Sequence, residues 1–258
     1  EIVWARFVFH MMFALPVLLL FHRDKLRARR PGRQLIRSSL LFLTTVVFFF
    51  ALKLISLAVA TSIAFAAPLF LVGLSALILG EKVGLRRWVG VGLGFVGILI
   101  IIRPGPEMEI AYLVPLAAAF FYANYELTTR MMASDDHALT TFFYTPVVGM
   151  VAASAILPFV WVAPSAEAWA LMVACGLLGA GGHFLLIKAF ERSEASLIAP
   201  FGYSTIVWAT LSGWIVFGRL PDGWTFVGAA LIIASGLYIW YREQRLHRAA
   251  LPTPASMP

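Results

Sequence analysis

Apolar residues run along this chain in long blocks, each closed by a turn signal or a cluster of charge, near residues 2 to 21, 38 to 55, 58 to 79, 87 to 102, 111 to 131, 138 to 157, 167 to 190, 195 to 217 and 223 to 241. A bilayer core about 30 Å thick takes about 20 residues of helix to cross. The pattern therefore predicts nine membrane-crossing helices. The fifth block, YLVPLAAAFFYANYELTTRMM, and the last, WTFVGAALIIASGLYIWY, carry Tyr and Trp near their ends, where the membrane interface favours them.

Composition narrows the class. Of 258 residues, 61% are apolar and 13% charged, against about 45–50% and about 25% in soluble domains. The fold class is an all-α polytopic membrane protein, with the lipid bilayer as its first partner. A net charge of +7 would suggest nucleic acid in a soluble chain. Here the basic residues lie in short loops between apolar blocks, so no nucleic-acid partner is expected. Their distribution sets orientation instead. Sixteen of the twenty Lys and Arg fall on one side of the threading, seven of them in HRDKLRARRPGRQLIR (22 to 37), and only Arg6, Lys53, Arg103 and Arg219 on the other. The rich side is cytoplasmic by the positive-inside rule, and it includes the basic tail 242–258 with the C-terminus. Glu1 runs straight into a span with no basic leader, which creates the expectation of one helix missing ahead of it.

A shift of 138 residues places Gly80 on Gly218, Val89 on Val227, Gly90 on Gly228, Leu93 on Leu231 and Leu99 on Leu237. Both copies read as a span ending in glycine, a polar hinge, and a span opening with an aromatic and a Val-Gly step. Five predicted spans separate the hinges, an odd number, so equivalent points face opposite sides of the membrane. The fold class becomes two inverted five-helix repeats with the first helix absent, divided as residues 1–105 and 111–241. Such repeats suit alternating access around a central site.

The run ALKLISLAVATSIAFAAPLFLVGLSALILGEKVGLRRWVGVGLGFVGILIIIRPG (51 to 105) resembles the repeat of EamA-type transporters of the drug/metabolite superfamily. So do ASLIAPFGYSTIVWATLSGWIVFGRLPDGWTFVGAALIIASGLYI (195 to 239) and the F-x-R element around Arg6. The resemblance implies ten helices in two inverted repeats and carriage of small metabolites or drug-like solutes across the inner (plasma) membrane. One departure is Gly218-Arg219, where the family's second hinge has Gly-Glu. No cofactor is implied.

Ionisable groups inside spans are costly and so mark candidate sites. Glu126 lies four residues before Arg130, a spacing that allows an ion pair on one helix face or, alternatively, a carboxylate turned to the cavity for a cationic solute or a coupling proton. Tyr122 shares that face, and Asn124 points elsewhere, toward a hydrogen bond with a neighbouring helix. His183 is a second candidate for proton coupling, or else an interhelical hydrogen bond. The 138-residue shift pairs Phe65 with Tyr203, one aromatic from each repeat for sandwiching a substrate. Pro68 and Pro200 are expected to bend their helices, and Ser204 and Trp208 continue the Pro200 face as cavity lining. Arg6 either steers anionic groups or extends to the interface. His10, with no polar companion recognised on its face, reads as packing. Lys188 reads as an interfacial cation, and Asp135-Asp136-His137 as a solvated loop. Cys175 is the only cysteine, and no metal site is expected. The ladder Gly90, Gly94 and Gly97 suits close packing, within the chain or in a homodimer.

The function expected is secondary active transport of a small organic solute. The sequence has no G-x-x-x-x-G-K-[ST] nucleotide loop. The alternative is an integral-membrane enzyme acting on a lipid-like substrate, for which the Asp-Asp-His loop is the nearest acid cluster.

Overall fold

The computed structural model describes residues 1–80, 84–103, 110–192, 204–218 and 220–250. Among them every regular element is helical: α1 (Ile2–Phe21), α2 (Pro31–Leu54), α3 (Leu57–Ala64), α4 (Ala67–Leu79), α5 (Leu85–Ile102), α6 (Leu113–Met132), α7 (Ala138–Tyr144), α8 (Val147–Val160), α9 (Ala166–Arg192), α10 (Ser204–Phe217) and α11 (Gly223–Ala250), with 3-10 turns at Arg23–Leu26 and Ile110–Tyr112. Six described segments are long and apolar enough to cross a membrane: Ile2–Phe21, Pro31–Leu54, Leu57–Leu79, Ile110–Met132, Ala138–Val160 and Ala166–Arg192. Trp88–Ile102, Val207–Phe217 and Gly223–Tyr238 are shorter apolar helices. The protein is a polytopic helical membrane protein.

Two of the six segments are broken. Leu57–Leu79 is interrupted at Phe65 and Ala66, and Pro68 stands in the first turn of α4, where a missing N–H is harmless. Ala138–Val160 is interrupted at Thr145-Pro146. There the Ser38 hydroxyl of α2 fills the gap, donating to Thr145 O at 2.9 Å and accepting from Val148 N at 3.0 Å. The helix starts are capped by side chains that satisfy free amides. Ser56 accepts from Val59 N, His137 Nδ1 from Leu139 N, Ser165 from Ala168 N and Asp222 from Thr225 N. Gly80 (φ 66°) and Gly218 (φ 64°) end α4 and α10 in the left-handed region that a side chain disfavours.

The chain divides into two compact units, each drawing on both halves of the sequence. The first contains Glu1–Ala51 and the described part of Phe120–Ser193. In it α1 is packed by α7, α8 and α9. Gly149 lets α8 approach the Phe7 ring, since a methyl group there would stand 2.5 Å from it, and Gly176 lets α9 close on Phe9. Phe7, Leu41 and Tyr125 form one apolar core; Ala14, Ala138, Phe142, Ala180 and Ile187 form another.

The second unit comprises the described parts of Leu52–Ala119 and Glu194–Pro258. Its main contact is α5 against α11. A methyl on Gly94 would stand 3.0 Å from Ser235 Oγ, one on Gly97 2.7 Å from Gly228 O, and one on Gly228 2.5 Å from Ile101. Residue numbers rise on α5 as they fall on α11, so the two helices run antiparallel. Gly94 and Gly97 of the ladder are therefore engaged inside the chain. Arg103, with φ 49°, ends α5 and forms an ion pair with Asp222. The hinge charge of Asp222 is thus answered by Arg103; Arg219 lies outside the described residues.

Candidate substrate site

The first unit buries a continuous row of polar side chains from α1, α2, α6 and α9. Its centre is His183 on α9. Arg6 Nη2 lies 3.1 Å from His183 Nε2, and Tyr125 OH lies 3.2 Å from His183 Nδ1. A guanidinium has only donors, so Nε2 is the acceptor. The ring is then the neutral Nδ1–H tautomer, and Nδ1–H donates to the Tyr125 oxygen. His10, four residues after Arg6 on α1, lies with its ring 6.1 Å from that of His183 and 4.7 Å from that of Phe142. His10 is 2% exposed, and its Nε2 has no hydrogen-bond partner among the described residues.

Arg37 extends the row toward the Asp136 loop. Its side chain is fully buried, and neutral oxygens surround it. Nε donates to Gln34 Oε1 at 3.2 Å, Nη1 to Thr129 Oγ1 at 3.4 Å, and Nη2 to Thr145 Oγ1 at 2.7 Å and to Thr141 O. The guanidinium also lies over the Tyr125 ring at 5.1 Å. Gln34 Nε2 passes the network to Asp136 Oδ2 at 2.9 Å and to Thr141 Oγ1 at 3.1 Å.

Glu126 and Tyr122 occupy adjoining positions on α6. The Tyr122 ring stacks on that of Tyr125 at 5.7 Å. Glu126 is half-buried, and its carboxylate forms no hydrogen bond or ion pair with any described residue. The i, i+4 pair with Arg130 that the spacing allows is therefore not formed. Arg6 is likewise half-buried, and its guanidinium has no carboxylate partner among the described residues.

Of the residues singled out in the sequence, His183 and Tyr122 thus lie in one row through Tyr125, and Glu126 follows Tyr122 one turn on along α6. Phe65, Ser204 and Trp208 belong to the second unit. Phe65 is buried at the α3–α4 break, Ser204 opens α10, and Trp208 is 67% exposed. Tyr203 and Pro200 lie outside the described residues. A separate cavity of about 500 Å³, walled by residues 52–58 with Gly213 and Phe217, also belongs to the second unit.

Several expectations need correcting. Arg37 is not a loop cation, because α2 begins at Pro31 and carries it into the interior. Asn124 bonds its own helix, donating to Phe120 O at 2.8 Å. Lys188 pairs with Glu191 at 2.8 Å. The Asp-Asp-His loop is structural: Asp136 is buried and accepts from Arg29 N at 2.7 Å, Asp135 meets Arg30 at 3.5 Å and Arg33 at 3.6 Å, and His137 caps α7. His10 does have a polar companion on its face, Arg6 at i−4, which the sequence shows directly.

The EamA-like transporter family model matches residues 1–103 and 109–241. The chain belongs to the EamA-like transporter family. Among its relatives in that family, the S-adenosylmethionine uptake transporter of Rickettsia prowazekii (strain Madrid E) is 29% identical over 248 residues, covering 95% of this chain and 84% of the relative. The riboflavin transporter of Vibrio cholerae is 32% identical over 234 residues, covering 88% and 77%. The pseudopaline exporter CntI of Pseudomonas aeruginosa is 28% identical over 207 residues, covering 78% and 72%. A protein of known crystal structure superposes with a TM-score of 0.69 at 21% identity, over 95% of this chain and 88% of that one. That likeness shows that this EamA-like chain shares its fold.

Proposed function

We propose that this protein is a secondary active carrier of a small organic metabolite, working by alternating access between two inverted five-helix repeats across the inner (plasma) membrane. The observation that carries the reading is the polar row of Arg6, His183, Tyr125 and Tyr122, with Glu126 one turn further along α6, set in a helical unit of a chain whose relatives are named for solutes they take up or export. Unpaired ionisable groups at this depth are costly, so a solute that neutralises them accounts for their presence.

The repeat reading takes nine spans as six long segments and three shorter helices, divided as 1–105 and 111–241. Its support is the antiparallel crossing of α5 and α11, which the 138-residue shift makes equivalent, together with the matching left-handed glycines Gly80 and Gly218. Phe65 from the first repeat, and Ser204, Trp208, Tyr203 and the bend expected at Pro200 from the second, are proposed as solute-lining positions, and the C-terminus is assigned to the cytoplasm. No nucleic acid or homodimer enters the scheme. The enzyme alternative is not adopted: its acid cluster, Asp135 and Asp136, serves structural contacts, and the named relatives are transporters.

Purified protein in liposomes tests the reading. Saturable uptake of S-adenosylmethionine, riboflavin or a related metabolite is expected, with Glu126→Gln abolishing any dependence on an imposed pH gradient. Uptake no greater than in protein-free liposomes for every solute would reject the carrier; gradient dependence that survives in Glu126→Gln would remove Glu126 as the coupling group.

A further inference from the structure

The cavity of about 500 Å³ in the second unit is built where two helices end. α2 stops at Leu54, and Ser56 turns the chain in extended conformation and caps α3 by accepting from Val59 N. α10 stops at Phe217, closed by Gly218 N donating to Trp214 O at 2.9 Å. α3 packs on α10, which sets Gly213 and Phe217, one turn apart, against residues 52–58. The wall is apolar except for two side chains, Ser56 and Lys53. The Ser56 hydroxyl is engaged in its cap, so Lys53 supplies the charge of the cavity. Lys53 is exposed and forms no hydrogen bond or ion pair with any described residue.

Leu54 and Phe217 of the wall are exposed, and so are Trp214, Ile215 and Val216 beside them. In a chain that crosses a bilayer, a continuous apolar surface of this kind is covered by acyl chains. The cavity also lies level with two helix ends and a tryptophan, the position that the headgroup region favours for Trp. An unpaired ammonium on an apolar wall at that level is complementary to a phosphate that carries apolar chains. We propose that the cavity binds one anionic phospholipid of the surrounding bilayer, its phosphate on the Lys53 ammonium and its upper acyl chain against Leu54, Gly213 and Phe217. A pocket of this volume buries a drug-sized molecule, so it takes the headgroup and the first part of a chain while the remainder continues in the bilayer. The lipid then joins the α2–α3 turn to the end of α10 within one unit. A water-soluble anion would use the ammonium and leave the apolar wall uncovered. This lipid site is separate from the polar row of the first unit and stands whether or not the protein is a carrier.

Native mass spectrometry of the full chain, released from detergent micelles doped with phosphatidylglycerol or phosphatidylcholine, tests the site. Wild type is expected to retain one phosphatidylglycerol about fivefold more tightly than phosphatidylcholine, the scale of one basic side chain at an anionic lipid surface. Lys53→Gln should remove that preference while phosphatidylcholine binds as in wild type, which also shows that the variant is folded. Lys53→Arg should keep it, and Arg27→Gln, which takes away an exposed cation in the first unit, should leave it unchanged. Glycerol 3-phosphate, the same anion without acyl chains, should not displace the lipid at equal concentration. Equal retention of the two lipids by wild type, equal weakening of both by Lys53→Gln, or a preference that survives that variant would overturn the lipid site. So would a loss in Arg27→Gln as large as in Lys53→Gln, which would reduce the preference to general surface charge, or displacement by glycerol 3-phosphate, which would make a soluble anion the occupant.

Discussion

Arg37 brings five N–H donors into an apolar interior with no carboxylate in direct contact, and its stability depends on Gln34, Thr129, Thr141 and Thr145 supplying oxygens. Removing the guanidinium leaves those acceptors buried and unsatisfied. Arg37→Ala should therefore cost about 3 kcal/mol, seen as a lowered unfolding midpoint in detergent; an unchanged midpoint would mean that water replaces the network at no cost. His10 presents the opposite case. Its Nε2 is buried and orphaned, so His10→Leu should leave the midpoint equal or raised. A fall of several degrees would show that the ring's packing on Phe142 and His183 outweighs the cost of its orphaned nitrogen. The same residues show what the sequence could reveal. His183, Glu126 and Tyr122 were legible because an ionisable or polar group within an apolar block is conspicuous. Arg37 was not, because a cation at the edge of a basic loop looks like every other cation there, and only tertiary packing shows that α2 carries it inward.

At the scale of elements, the two broken segments and the α5–α11 crossing decide how close helices can come. Gly97 and Gly228 each face the other's carbonyl oxygen, at 2.7 and 2.5 Å from where a methyl would stand. Both contacts are with backbone, which cannot rotate away. Gly97→Val should force the helices apart at a cost of about 1–3 kcal/mol, whereas Gly92→Val, at a position with open space, should be tolerated. Comparable unfolding midpoints for the two variants would contradict the crossing. The glycine pattern and hinges could be read in the sequence because small residues at i, i+3 and i+4 leave a stripe. The break at Thr145-Pro146 was missed, since the apolar run continues through it and hydropathy records no interruption. Its repair by Ser38 depends on a residue distant in sequence.

For the whole molecule, class and family were legible because bilayer insertion constrains composition, segment length and loop charge together. The interleaving of the two compact units was not, since chain order says nothing of which spans pack together. The excess of Lys and Arg in the loop 22 to 37 and the tail is the ground for the proposal that both lie in the cytoplasm. Single cysteines placed at Arg27 and at Lys53, in a background with Cys175 replaced, should react with a membrane-impermeant thiol reagent only from the cytoplasmic side and only from the outside, respectively. Labelling of both from one face would overturn the orientation. The central claim, that the chain is a carrier with a site that alternates between faces, is tested most directly by counterflow. Liposomes containing the purified protein are loaded with unlabelled S-adenosylmethionine or another accepted solute and diluted into a trace of the labelled form. The carrier account predicts a transient accumulation of label above equilibrium that protein-free liposomes do not show. Simple equilibration with no overshoot, at any loading, would contradict it.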